Sequence, residues 1–284
     1  MEYFVRIGGL TLAVRGSEVP LEEPHARFAV PPSSAPSSTD VVIDVVYDDA
    51  YTAPRGALLF DSGAVWKLFE DPDGFRIDCH SPLLGEHPYK IATVSRDLRR
   101  VALQMRVRNL QPIHFPLDEL LVNALLARGG GVELHACGVI DRGQGLLFIG
   151  NSGDGKTTTA RLWEGDAEII SDDRVVVRAG DAGWTIYGTP WHGEAEICSP
   201  ASAPLRRVYV LDHTMRSGNG VAPMRSAEAV ARIFACAFPP FHDPRGLETV
   251  VDTLGQLAAS VPVAKLSFVN DPSAVDFVRG EVAA

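Results

Sequence analysis

Gly150-Asn151-Ser152-Gly153-Asp154-Gly155-Lys156-Thr157 satisfies the pattern G-x-x-x-x-G-K-[ST]. Each residue type answers a chemical need. Glycines at 150, 153 and 155 let the backbone take positive φ and bring successive N–H groups against phosphate oxygens, where a side chain would block the approach. A helix starting at the loop adds partial positive charge, Lys156 a full charge for β- and γ-phosphates, and the Thr157 hydroxyl a ligand for the Mg²⁺ that bridges them. The expected nucleotide-binding set is therefore Gly150, Asn151, Ser152, Gly153, Asp154, Gly155, Lys156, Thr157 and Thr158, with ATP and Mg²⁺ as its partners. The plainer alternative is a glycine turn before a helix that carries a chance lysine. The flanks favour the phosphate site, since Leu146-Leu147-Phe148-Ile149 reads as a buried strand entering the loop and Lys156 to Trp163 as a helix leaving it.

A second chemical signal follows. Ala167 to Ile170 reads as a strand running into Ser171-Asp172-Asp173, where a metal partner and a general base would sit. Adjacent strand residues point to opposite sides, so the two carboxylates cannot share one role. The alternative is a solvated acidic turn, and only its spacing from the loop favours function. Gly188 to Glu194 then breaks the strand pattern with turn formers and Trp191, a composition that lines many sites but also suits a structural turn with Trp191 packed beneath it.

The elements that must position these residues fall into two parts. Residues 1–115 read as a β-rich domain: a hairpin about Gly8-Gly9, a proline-rich surface loop from Pro31 to Thr39, then strands at Val41 to Tyr47, Ala57 to Phe60, Ala64 to Phe69, Phe75 to Cys79, Lys90 to Ser95 and Arg100 to Val107. They are expected to form a mainly antiparallel β domain. From Pro116 the period becomes helical, and residues 116–284 are expected to form the nucleotide core. That core comprises strands at Val132 to Cys137 and Gly138 to Ile140, the phosphate-loop strand, a hairpin at Val175 to Arg178 and Trp184 to Tyr187, a strand at Leu205 to Leu211, helices at Ala227 to Ala237 and Thr249 to Ala259, a strand at Val263 to Phe268 and a closing helix at Pro272 to Arg279. The expected class is α/β.

The composition excludes several functions. A formal net charge of −10, with lysine and arginine not gathered in runs, argues against nucleic acid or an anionic membrane as partner. No apolar run approaches the roughly 20 residues of a membrane span, and Met1 to Leu12 lacks the apolar core of a signal peptide. Cys79, Cys137, Cys198 and Cys236 form no C-x-x-C pair, which suits reduced, part-buried thiols in a cytoplasmic protein.

Residues 116 to 215 resemble the catalytic domain of the HPr kinase/phosphorylase family. Three ordered features carry the likeness: His135 on the strand before the loop, the loop form G-x-S-G-x-G-K-[ST], and the pair Asp172-Asp173 closing the next strand. The resemblance implies that Lys156 and Thr157 hold the triphosphate and Mg²⁺, that Asp173 accepts the proton of the substrate hydroxyl with Asp172 toward the metal, that His135 lies near the transferred phosphate, and that Glu194 makes a second metal contact. It also implies a homo-oligomer, since the family forms hexamers. The family's arginine- and glycine-rich signature loop is not visible, and Gly188 to Glu194 stands in its approximate place, which makes the chain a divergent relative. The expected activity is transfer of the γ-phosphoryl group of ATP to a serine of a protein or peptide. Two alternatives stay open: a small-molecule kinase with the same core, and a nucleotide-binding regulator without chemistry.

Overall fold

A computed structural model describes residues 1–34, 36–212 and 218–283. The chain divides into two compact units, Met1–Leu125 and Leu126–Ala284. The expected boundary at 115/116 thus lies ten residues before the division, which falls inside a helix.

The first unit is an eight-stranded sheet. Its strands are β1 (Glu2–Ile7), β2 (Leu10–Arg15), β3 (Val41–Tyr47), β4 (Leu58–Asp61), β5 (Trp66–Asp71), β6 (Gly74–Cys79), β7 (Lys90–Ser95) and β8 (Arg100–Met105), in the order β1-β2-β3-β8-β7-β6-β5-β4. Five of the seven pairings are antiparallel, and β3 lies parallel to both β2 and β8. Long connections before and after β3 make this possible, because a parallel neighbour needs a crossover that a tight turn cannot supply. Gly8 and Gly9, both at positive φ (58° and 72°), form the two-residue turn between β1 and β2. The stretch Pro31 to Thr39 contains a single 3₁₀ turn at Pro32–Ser34, and Ala35 lies outside the described residues.

Helix α1 (Leu117–Gly129) carries the chain across the division. The second unit then contains β9 (Gly131–Asp141), β10 (Gln144–Ile149), α2 (Lys156–Trp163), β11 (Glu168–Ser171), β12 (Arg174–Gly180), β13 (Gly183–Gly188), β14 (Ser202–Leu211), β15 (Gly220–Pro223), α3 (Ser226–Phe234), α4 (Pro244–Ser260), β16 (Val263–Ser267) and α5 (Ser273–Ala283). The two strands expected between Val132 and Ile140 are one continuous strand of 11 residues. Gly138, where sequence suggests a break, continues the ladder opposite Leu147 and Ser171, and Ile170 and Val175 crowd the space a side chain would need there. The length of β9 matters to the topology. Its first half pairs with β12 and its second half with β10 and β11. Strand β10 also pairs in parallel with β14, and β14 pairs antiparallel with β13, so the ladder β9-β10-β14-β13-β12 closes on itself.

Helices cover both faces of this sheet. Leu134, Ala136, Leu147, Ile149, Val208 and Val210 pack with Ile233 of α3 and Val250, Leu254 and Leu257 of α4. Their neighbours Cys137, Val139, Leu146, Phe148 and Tyr209 point the other way, against Ala160 and Trp163 of α2 and Val275 and Val278 of α5. The unbroken apolar run of β10 follows from this burial on both faces. Strands β10, β14 and β16 are mutually parallel, so the chain leaves β10 at the carboxyl edge of a parallel trio, an edge where ligands collect in open α/β sheets.

Candidate functional site

The glycine loop joins β10 to α2, as its sequence requires. Gly155 is the residue before the helix and takes a left-handed conformation (φ 92°, ψ 18°), and Gly153 has φ 88° with nothing near the position of a Cβ. Asp154 shapes the loop from within, because its Oδ2 accepts the Asn151 N–H at 2.6 Å. Lys156 folds back over the loop and donates to the carbonyls of Gly150 and Asn151, both at 2.9 Å. Burial lowers its pKa, with nearby Asp173 and Asp154 opposing the shift. Asn151, Ser152 and Gly153 are exposed, Thr157 and Thr158 are half-buried in the first turn of α2, and Thr159 donates its hydroxyl to Gly155 O at 2.9 Å.

The acidic pair stands where the ladder beside β9 is interrupted. Ser171 is opposite Gly138 and Arg174 is opposite His135, with Asp172 and Asp173 between them. In a regular ladder Asp173 would face away from His135, since residues directly opposite share a face and their neighbours do not. Ser171 changes this. Its buried hydroxyl oxygen accepts the N–H groups of Asp173 at 3.1 Å and Arg174 at 2.9 Å, which bends the backbone and turns Asp173 toward β9. Asp173 Oδ1 then lies 2.9 Å from His135 Nε2, and Asp173 Oδ2 lies 3.1 Å from Arg174 Nε. Burial pushes the Asp173 carboxyl up, but the His135 hydrogen bond and the charges of Arg174, His135 and Lys156 outweigh it and hold the pKa below the usual carboxylate value.

Asp172 has a different environment. It is 2% exposed, and its two oxygens accept the N–H groups of Gly193 at 3.0 Å and Ala195 at 2.9 Å. A Cβ on Gly193 would lie 2.8 Å from Asp172 Oδ2, so a glycine lets the 193–195 loop close over the pair. The two carboxylates do have separate settings. Trp191 is buried, the packed alternative for this loop, and Thr189 beneath it donates to Arg174 O at 2.8 Å.

The structure therefore brings together Lys156, Asp173 and His135, and ties Asp172 to the loop that carries Glu194. Glu194 itself is exposed. Among the described residues no group of three or more His, Cys, Asp or Glu side chains could hold a metal ion by itself. A cation held by Thr157 and Asp172 would need oxygens from phosphate to complete its shell, which is how Mg²⁺ binds with a nucleotide. Residues that sequence reasoning missed are Ser171, Arg174, Glu133, Phe238 and Cys236, whose thiol is bonded by the Gly150 N–H. Only Ser171, a hydroxyl two residues before an aspartate in a turn, carried a local signal.

Comparison with protein-family models and with curated proteins finds no match for this chain. Among the described residues no helix is long and apolar enough to cross a membrane. All four cysteines are buried, and none is in a disulfide. Of the stretch that resembles the HPr kinase domain, His213 to Met215 lie outside the described residues.

Proposed function

We propose that the protein is an ATP- and Mg²⁺-dependent kinase of the HPr-kinase-like type, which transfers a γ-phosphoryl group to a hydroxyl, the favoured acceptor being a serine of a protein or peptide. The observation that carries this reading is the meeting of Asp173 with His135 within electrostatic reach of Lys156 at the glycine loop. A phosphate loop alone serves binding as well as chemistry. A carboxylate aimed by two partners beside it has the makings of a proton acceptor.

Magnesium-bound ATP supplies the transferable phosphoryl group and the charge that neutralises it. The chain's own residues supply position. Gly150 to Gly155 offer backbone N–H groups, Lys156 offers its ammonium, and Thr157 and Asp172 would hold the cation. Asp173 orients the acceptor hydroxyl and takes its proton late, when bond formation has made that proton acidic. Its lowered pKa keeps the carboxylate ionised, and so able to accept a proton, at neutral pH. The His135 ring at Asp173 Oδ1, through Nε2, fixes the orientation of the carboxylate.

The test is transfer from γ-labelled ATP with Mg²⁺ into a lysate of the source organism, comparing wild type with Asp173→Asn and separating products by size. Wild-type label in a protein or peptide is expected, with a loss of roughly 10²–10⁴-fold in the variant and unchanged ATP affinity. Label confined to small molecules would make the protein a metabolite kinase. ATP bound and never turned over would sink the kinase reading in favour of a regulator, and equal loss of binding and transfer would remove Asp173 from its role.

A further inference from the structure

A third charge sits against the Asp173–His135 pair. Arg174 opens β12 directly opposite His135, and its Nε meets Asp173 Oδ2 at 3.1 Å while His135 meets Oδ1. The arginine is itself confined on two sides. Its guanidinium carbon lies 3.8 Å from the centre of the Phe238 ring, and its Nη1 lies 3.8 Å from Oε1 of Glu133, a fully buried carboxylate on β9. Phe238 is pinned in turn. Its N–H donates to Glu133 O at 3.1 Å, the His135 N–H donates to Cys236 O at 2.7 Å, and Leu134 forms a bridge with Ala237. The same ring stands 6.4 Å from the His135 ring at 56°. The segment after α3 thus covers the inner end of β9 and caps arginine and histidine together.

We propose that Arg174, held between the Glu133 carboxylate and the Phe238 ring, is a positioning residue that locks the Asp173 carboxylate against His135 and toward the phosphate loop. Asp173 and His135 each keep about a quarter of the side chain exposed (25% and 28%), and a pair so open to water holds its geometry weakly by itself. A planar guanidinium supplies what the pair lacks, because it stacks on a ring and donates in its own plane at the same time, which a lysine cannot do. The charged groups acting on Asp173 are His135 from β9, Arg174 from β12 and Lys156 from α2, and Glu133 from β9 stands behind Arg174. Arg174 is the one that touches the carboxylate on the side away from His135.

The consequence for turnover rests on the kinase reading, so the experiment carries a readout that does not. Full-length wild type, Arg174→Gln, Arg174→Lys, Phe238→Leu, Asp173→Asn and the Arg174→Gln/Asp173→Asn double variant are compared for phosphate release from Mg²⁺-ATP with water as acceptor, for ATP affinity, and for the His135 Nε2–H signal in nitrogen-edited NMR. Arg174→Gln is expected to slow release about 10- to 100-fold with affinity within about twofold of wild type, and to cost nothing further in the Asp173→Asn background. Arg174→Lys should not restore the rate, and the His135 signal should broaden or vanish. Phe238→Leu, which keeps every charge, should show a smaller loss of the same kind. Undiminished release, losses that multiply in the double variant, or an unchanged His135 signal would overturn the inference. A wild type that neither binds nor cleaves ATP would reject the kinase reading, and the His135 signal would still decide the role of Arg174.

Discussion

Asp173 and Lys90 show how far a single residue's chemistry depends on what faces it. Asp173 is readable as a candidate acid from its spacing after the glycine loop, yet its partners come from three elements and its orientation from the Ser171 hydroxyl. Lys90 carries no sequence signal at all. It opens β7 at 1% exposure, and its ammonium donates to Pro112 O at 3.0 Å. Burial lowers its pKa to about 8, although the Cys79 and Asp118 groups nearby pull the other way. The unfolded chain holds this lysine protonated to about pH 10, so between about pH 8 and pH 10 it binds more protons than the folded chain. Stability from this group therefore rises with pH across that window, and its charge is a full penalty below pH 8. Lys90→Met is expected to stabilise the protein by about 1–3 kcal/mol at pH 7 and by much less at pH 10, read from urea unfolding of both proteins at both pH values. A difference that ignores pH would show that burial leaves the pKa of this amine where it is in the unfolded chain.

At the scale of elements, the hairpins were the most legible. Two-residue turns with positive φ match the twist of the strands they join, and glycine pairs announce them. The turn between β9 and β10 breaks that rule at one position. Arg142 and Gly143 connect Asp141 to Gln144 with φ of 51° and 77°, and arginine is poorly suited to the left-handed region. Arg142 is exposed, so its side chain is not the reason for its conformation. Arg142→Gly is expected to raise stability by about 0.5–1 kcal/mol, measured as a shift in Tm, since the strain removed exceeds the entropy added to the unfolded chain. A lower Tm would mean that the arginine makes a compensating contact. The parallel placement of β3 was not legible, because Val41 to Tyr47 alternates in the same way whichever direction its neighbours run.

Across the second unit, protection should follow the closed ladder. Strand β10 is bonded on both sides, by β9 and β14, and is covered by helices on both faces. Among the described residues β15 pairs only with β16, and in the first unit β4 pairs only with β5. Amide hydrogen exchange is therefore expected to be slowest at Leu147 to Ile149 and Val208 to Val210, and fastest among strand residues at Gly220 to Ala222 and Leu58 to Phe60. Edge amides as slow as those of β10 would contradict this order. The rigidity of β10 has a functional side, since the phosphate loop hangs from its end and inherits its position.

Read alone, the sequence determined what depends on neighbours along the chain: the strand–loop–helix about Lys156, the helix after Pro116, the glycine turns, and the acidic pair one strand beyond the loop. These are local because backbone conformation and side-chain period are set within a few residues. That Asp173 meets His135, that Glu133 and Phe238 converge on Arg174 beside it, and that β9 threads between two sets of partners were decided only by tertiary structure. Those contacts join residues as distant in sequence as Glu133 and Phe238, and burial sets their strength, which no spacing rule encodes.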